Sequence, residues 1–311
     1  MEKLAMTLLA FEPILLKKMD AYRQRLSQTP QKGSDYSLVN LWGWKEAYDL
    51  QWAWHDPLIW IRQNRPGPIL WAPVGPWGEI DWPQYFQRLG NPGTVFTRVP
   101  EQLLKPWETA FPGRLRFEEE RGNWDYLYRM EDMVLLKGNR FHTKKNLVNQ
   151  FVKKHTFEYV PVENDRIADA LLMQENWCTW RDCESSEVLD AENRAITRVL
   201  GTFSQFRDLL GGGILCEGKM IAYTLGERLD SDTLLIHFEK GDPGYTGVYQ
   251  AINQLFLSHH VNAFRLVNRE QDLDNPGLRK AKLSYHPVDF VRKYRVSLEE
   301  PGEKNDPSLG Q

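Results

Sequence analysis

Residues 233–268 read TLLIHFEKGDPGYTGVYQAINQLFLSHHVNAFRLVN, and the fold follows from this stretch. Over Thr233–Lys240 the residues Leu234, Ile236 and Phe238 fall on one side and Leu235, His237 and Glu239 on the other, the period-two pattern of a strand. Gly241-Asp242-Pro243-Gly244 cannot continue that strand. Gly247–His259 carries apolar residues at helical spacing, and Ala263–Asn268 returns to strand character. Working backwards, Gly213–Glu217 and Met220–Arg228 form a meander with Thr233–Lys240, turning at Gly218-Lys219 and Asp230-Ser231-Asp232. Gly211-Gly212-Gly213 is expected to break the chain before it. Phe157–Pro161 reads as a strand, and Asp165–Arg181 and Ala191–Leu210 as helices. Working forwards, a short helix over Pro276–Tyr285 precedes a last strand, Phe290–Val296. This order implies an α/β (α+β) fold with mixed sheets.

Upstream, Pro13–Leu26 reads as a helix and Leu50–Trp54, Leu58–Arg62 and Ile69–Ala72 as short strands. Asp81–Leu89 and Glu101–Ala110 read as helices, and Thr94–Val99, Leu115–Glu120 and Asp125–Met130 as strands. A length of 311 residues suggests two domains. Ten of the twelve tryptophans lie at or before Trp124, which separates the halves by composition. The expected division is a first domain over 1–155, a second over 156–298 and a disordered Pro/Gly/charge-rich tail over 299–311.

The net charge of −3 hides an asymmetry. Residues 1–155 hold 22 basic and 17 acidic side chains, and residues 156–311 hold 17 and 25. Basic residues cluster over 137–157 and 277–295, which points to an anionic ligand at a defined place, or else to two solvated faces. Cys178, Cys183 and Cys216 make neither a disulfide framework nor a zinc pattern, and a reduced, cytoplasmic compartment is expected. No apolar run approaches the ~18 residues that span a bilayer. The run Leu4–Phe11 reads as a frayed start or a first strand, not a signal peptide.

Candidate chemistry falls in four places. In the basic segment 137–155, which is expected to form a helix, Phe141, Val148, Phe151 and Val152 form an apolar face flanked by Lys144 and Lys145. These lysines either contact an anion at a seam between the halves or snorkel over the core. His237 and Glu239 could supply a base and its orienting acid, or form a structural pair. The loop Gly241–Gly247 could offer amides to phosphate or be a plain turn. Asn268-Arg269-Glu270-Gln271-Asp272 ends a strand where ligands sit. Arg279 and Lys282 then share a helix face beside Lys280, suited to phosphate or carboxylate, with Tyr285 and His286 able to donate or shuttle a proton. A basic surface helix is the alternative.

The stretches LKGNRFHTKKNLVNQF, IHFEKGDPGYTGVYQAINQLF and LVNREQDLDNPGLRKAKLSYHP resemble the phosphatidylglycerol lysyltransferase C-terminal domain family, which is similar to Fem-type aminoacyltransferases. The resemblance implies tandem GNAT-like acyltransferase domains, in which the fifth strand of a domain splays from the fourth to open a cleft. Its best-known members move an aminoacyl group from a charged tRNA to a phospholipid headgroup. Carried over, this implies a soluble transferase using an aminoacyl-tRNA or acyl-CoA donor and an amine or hydroxyl acceptor. Catalytic roles would fall to Glu239, His237 and Tyr285. Donor binding would fall to Lys144, Lys145, Asn268, Arg269, Glu270, Arg279, Lys280 and Lys282. No metal or bound cofactor is expected, and an anionic lipid headgroup is a candidate partner at a peripheral membrane location. A CoA-dependent N-acyltransferase and a non-catalytic anion-binding module are the alternative readings.

Overall fold

The structure is a computed structural model that describes residues 9–89 and 94–299. The chain divides into two compact units. The first comprises Met1–Lys32, Tyr48–Asn123 and Arg292–Gln311, and the second Gly33–Ala47 and Trp124–Val291.

The first unit holds β1 (Glu12–Pro13), β2 (Leu50–His55), β3 (Leu58–Gln63), β4 (Ile69–Trp71), β5 (Val95–Pro100), β6 (Leu115–Glu119) and β14 (Lys293–Leu298), numbered along the whole chain. They form one sheet in the order β1-β2-β3-β4-β5-β14-β6. Helices α1 (Met19–Ser27), α3 (Trp82–Leu89) and α4 (Glu101–Ala110) belong to it. Trp52, Trp60, Trp77, Trp107 and Phe96 are fully buried here, which is why the tryptophans concentrate early in the chain. Asp81 starts α3 as expected, its carboxylate accepting from the Gln84 amide at 3.1 Å.

The second unit holds β7 (Asp125–Arg129), β8 (Glu158–Pro161), β9 (Leu209–Cys216), β10 (Lys219–Arg228), β11 (Thr233–Gly241), β12 (Leu266–Asn268) and β13 (Asp289–Val291). Their order is β13-β7-β12-β11-β10-β9-β8. Its helices are α2 (Leu38–Trp44), α5 (Met130–Leu135), α6 (His142–Lys154), α7 (Ile167–Arg181), α8 (Glu187–Gly201), α9 (Val248–His260) and α10 (Pro276–Leu283). From α9, Val248, Ala251, Ile252, Phe256 and Leu257 are buried against the sheet and against Phe141, Val148 and Phe151.

Both sheets share one plan. Among the described residues each has a single parallel pair, β4 with β5 and β11 with β12, and α3 and α9 respectively fall between the paired strands in sequence. Each continues past that pair with a strand that sequence order would assign to the other unit. β7 follows β6 in the chain yet pairs with β12 and β13, and β14 follows β13 yet lies between β5 and β6. The fold is therefore α/β with two mixed sheets, one in each unit, and the units exchange a strand.

This exchange moves the expected boundary at 155/156. The units part at Asn123/Trp124 and Val291/Arg292, and residues 33–47 lie in the second. The expected last strand splits into β13 in one sheet and β14 in the other. Helix α6 belongs to the second unit, and Phe141, Val148 and Phe151 are buried in that unit's core; Val152 is half exposed. Gly211-Gly212-Gly213 does not break the chain but lies within β9. A Cβ on Gly212 would stand 2.5 Å from the Tyr159 hydroxyl and 2.8 Å from Phe256, so glycine here permits close packing. Helix α8 accordingly ends at Gly201. Cys178 and Cys183 form one disulfide, and Cys216 is a buried free thiol. The tail beyond 299 lies outside the described residues, as does most of Leu4–Phe11.

Candidate functional site

β11 and β12 pair only between Thr233–Leu235 and Leu266–Asn268. Past Asn268 the chain follows β7: the Arg269 amide donates to the Tyr126 carbonyl at 3.0 Å, and the Tyr126 amide donates to the Glu270 carbonyl at 3.2 Å. Residues 236–241 of β11 keep only β10 as a neighbour. The two strands thus splay, as the GNAT resemblance implies.

A β-bulge at the start of the splay re-aims the side chains. Gly226 of β10 pairs with Ile236 and the adjacent Leu225 pairs with Phe238, so His237 is the extra residue. Uninterrupted alternation puts His237 and Glu239 on one face; the bulge separates them. Ile236 packs with Phe256 and Leu257 of α9, and the Glu239 carboxylate accepts from Asn253 Nδ2 of α9 at 2.9 Å. Lys240 goes to the opposite face, 2.8 Å from Glu192 of α8 and 3.8 Å from the Trp177 ring centroid of α7.

A polar cluster gathers around Glu239 on the α9 side. Arg269 Nη2 donates to it at 3.2 Å. The Arg269 guanidinium lies 5.0 Å from the Tyr285 ring centroid, and the Lys144 ammonium, carried by α6, lies 4.5 Å from the same centroid. Burial, and secondarily the like charge of Arg269, hold Lys144 below the usual lysine range. Burial pushes the Tyr285 hydroxyl up to about 12 against the pull of Arg269, so at neutral pH it is a hydrogen-bond donor rather than a base. Lys144 and Arg269 could hold an anionic group here, Tyr285 could donate to it, and Glu239 could orient or deprotonate an amine or hydroxyl.

His237 belongs to a different cluster. Its Nδ1 lies 2.9 Å from Glu270 Oε1, and its Nε2 lies 3.4 Å from Glu227 Oε1, within ion-pair range but without hydrogen-bond geometry. Burial alone would pull the imidazolium down; Glu227 and Glu270 outweigh it and push His237 up to about 9. At neutral pH it is protonated, which leaves Glu239 as the candidate base. Asn40 of α2 completes the cluster, donating to Glu270 at 2.7 Å.

The remaining predicted residues scatter. Asn268 is fully buried, donating to Asp125 at 3.0 Å and accepting from the Glu270 amide at 2.8 Å, while Asp125 accepts from the Ser34 amide and hydroxyl. Arg279 and Lys282 do not present an open cation pair. Arg279 grips Asp272 through two hydrogen bonds of 2.7 Å and reaches Asp274 at 2.7 Å. Lys282 donates to the carbonyls of Arg269 and Gln271, the latter at 2.6 Å. Lys145 and Lys280 are exposed. The loop Gly241–Gly247 is a plain turn: the Gly244 amide donates to the Asp242 side chain, the Tyr245 amide to the Asp242 carbonyl and the Val248 amide to the Tyr245 carbonyl. Asn253, Asn40 and Glu227 were not anticipated. Asn253 had a readable signal, a polar residue between Tyr249 and Leu257 in one i, i+4 row of an otherwise apolar helix face.

A cavity of about 930 Å³ between α7 and α8, lined by Gln174, Glu175, Cys178, Asp190 and Asn193 among others, shares no residue with the Glu239 cluster. Among the described residues no group of His, Cys, Asp and Glu could hold a metal ion, and no helix is long and apolar enough to cross a membrane.

The family model described as phosphatidylglycerol lysyltransferase, C-terminal, matches residues 26–297. The crystal structure of a conserved protein of unknown function from Bacteroides thetaiotaomicron VPI-5482 is similar with a TM-score of 0.84 at 30% identity, covering 94% of this chain and 100% of that one. The structure of L-PGS from Bacillus licheniformis gives a TM-score of 0.63 at 11% identity, covering 94% of each chain, which speaks to the fold alone. An uncharacterized protein of Mycoplasmoides gallisepticum is 24% identical over 185 residues; the match spans 56% of this chain and 56% of that relative's length.

Proposed function

This chain belongs to the phosphatidylglycerol lysyltransferase C-terminal family, and from that premise we propose that it is an aminoacyl transferase whose reaction centre is the splay between β11 and β12. The observation that carries this reading is the convergence of Lys144, Arg269, Glu239 and Tyr285 from α6, the end of β12, β11 and the turn after α10. In the proposed reaction an acceptor amine or hydroxyl attacks the ester carbonyl of an aminoacyl-tRNA. The acceptor bonds to the carbonyl carbon, the ester C–O bond breaks, and the proton that Glu239 takes from the acceptor passes to the departing ribose oxygen, which leaves as a hydroxyl. Lys144 and Arg269 hold the donor's phosphates. The ester is already activated, so holding the partners in line supplies much of the rate. A tRNA donor is favoured over CoA because the amides of Gly244, Tyr245 and Val248 are spent within the loop before α9.

The test measures aminoacyl-tRNA binding and single-turnover transfer for Lys144→Ala and Glu239→Gln. Lys144→Ala should weaken donor binding by about 1–3 kcal/mol, the range for a charge-assisted hydrogen bond. Glu239→Gln should spare binding and slow transfer. Wild-type binding and rate in both variants would leave a non-catalytic module as the better reading.

A further inference from the structure

Two of the three cysteines are joined, and the bond between them lies in the wall of a cavity. Cys178 is in the last turn of α7, and Cys183, five residues on, opens the single turn that leads to α8. Cys183 is buried, at 4% exposure, and Cys178 is partly exposed. Both line the cavity between α7 and α8, whose rim is exposed at Leu172, Glu175, Asp182 and Glu184. At about 930 Å³ it has room for a small molecule beside the sulfurs. Disulfides shut away from solvent resist exchange, and accessible ones are the labile ones.

The bond also sits at a junction. Gln174, one helical turn before Cys178, directs Nε2 to Cys178 Sγ at 3.6 Å and to Asn193 Oδ1 at 3.0 Å, and its Oε1 accepts from the Tyr223 hydroxyl of β10 at 2.5 Å. Trp177, next to Cys178, donates to the Tyr249 hydroxyl of α9 at 2.9 Å and holds the Lys240 ammonium of β11 over its ring. Tyr223 and Lys240 are cross-strand partners, and Lys240 adjoins Glu239. The last turns of α7 thus brace the strands that carry Glu239, and the disulfide ties the end of α7 to the turn that follows.

The charge of the cavity selects the reagent. Its lining carries Glu175, Asp182, Glu184 and Asp190 and no lysine or arginine. Asp190 pairs with Arg194 at 3.1 Å, and Arg181 lies 5.7 Å from the Trp177 ring centroid. Attack on a disulfide requires a thiolate. A thiol that also bears a carboxylate brings a second negative charge up to these acids, whereas an aminothiol brings a compensating ammonium.

We propose that Cys178–Cys183 is a thiol-exchange site that takes a small cationic thiol from the cavity between α7 and α8. The reagent's thiolate attacks Cys178 Sγ and forms a mixed disulfide. The protein S–S bond breaks with its electron pair on Cys183 Sγ, which takes a proton. A second thiolate then attacks the reagent's sulfur, the two reagents leave as their own disulfide, and Cys178 Sγ takes a proton. Two electrons pass from the thiols to the protein. The site does not rest on the transferase reading, since exchange is measured without turnover.

The experiment treats the folded full chain with cysteamine or mercaptoacetate at equal thiolate concentration and low salt. Free thiols and adduct masses are followed, and each rate is normalised to that with an uncharged model disulfide. Cysteamine should reduce the bond several-fold faster than mercaptoacetate, and the gap should close in high salt. Acid-quenched peptides should carry the adduct on Cys178, while the buried Cys216 stays unmodified. Reduction should lower the melting temperature by about 3–8 °C, the scale for opening so short a loop. It should also quicken amide exchange over 174–186 more than over β11. The proposal is overturned if the bond yields only at the rate of global unfolding, or if the chain holds no disulfide and cannot be oxidised to one. An adduct on Cys183 instead of Cys178, or equal normalised rates for the two thiols, also overturns it.

Discussion

Burial alone strips the charge from a histidine, and His237 keeps it because Glu227 and Glu270 flank the ring. The folded-state pKa of about 9 lies above the ordinary value of 6.5. Folding therefore binds an extra proton between those values, and the stabilisation is fully present below pH 6.5 and lost as pH rises through about 9. Lys282 acts in the opposite sense. Burial depresses it from 10.5 to about 8, so its cost to folding is complete below pH 8 and relieved as pH climbs towards 10.5. Comparing the wild type with His237→Gln cancels the Lys282 contribution common to both. The stability difference between them should be on the order of 1–3 kcal/mol larger at pH 6 than at pH 9.5. Urea titrations across that range measure it, and a difference independent of pH would show that the clamp does not hold a proton.

At the scale of single elements, what was legible is what local pattern determines. The strand–helix–strand run over 233–268, the meander before it and the start of α3 at Asp81 follow from period and turn chemistry. Three things escaped for physical reasons. The bulge at His237 is set by the partner strand, so no reading of β11 alone could find it, and it decides that Glu239 joins Arg269 and not His237. The triple glycine reads as a breaker, but Tyr159, Val162 and Phe256, which crowd it, are remote in sequence. The cations of α10 read as ligand groups, and only the folded loop shows that Asp272 and two carbonyls consume them. Gly247 lies between these cases. It has φ +88°, and a Cβ there would stand 2.2 Å from the Leu147 carbonyl oxygen of α6. Both backbone strain and a clash with unyielding backbone oppose any side chain, where α9 enters against α6. Gly247→Ala should cost about 2–4 kcal/mol, combining left-handed strain with overpacking. It should appear as a lower urea midpoint at an unchanged slope. A loss under about 0.5 kcal/mol would mean that α6 and α9 shift apart freely.

At the scale of the whole chain, the two units are built from interleaved sequence. Composition marks two halves, but it cannot reveal that β7 serves the second sheet and β14 the first, because an exchanged strand has the same local pattern as an ordinary one. The consequence for folding is direct. In the first sheet β14 is the only strand between β5 and β6, and without it β6 loses its partner and β5 keeps only β4. In the second, β7 joins β12 to β13 in the same way, and Asp125 at its start receives the Ser34 and Asn268 hydrogen bonds. Val296, fully buried in β14, and Tyr126 and Tyr128, fully buried in β7, would leave holes in both cores. Cutting the chain at 155/156 removes β14 from the first fragment. It also strips β7, α5 and α6 from the second, and with α6 goes Phe151, which packs on α9. Losses of several buried aromatic side chains, at about 3–5 kcal/mol each, exceed the typical stability of a domain. Residues 1–155 and 156–311 made separately should therefore lack cooperative thermal unfolding and dispersed amide resonances. Mixing the two should restore at least part of both signals, since each supplies the strand the other lacks. A sharp melting transition for either fragment alone would show that its sheet closes without the exchanged strand.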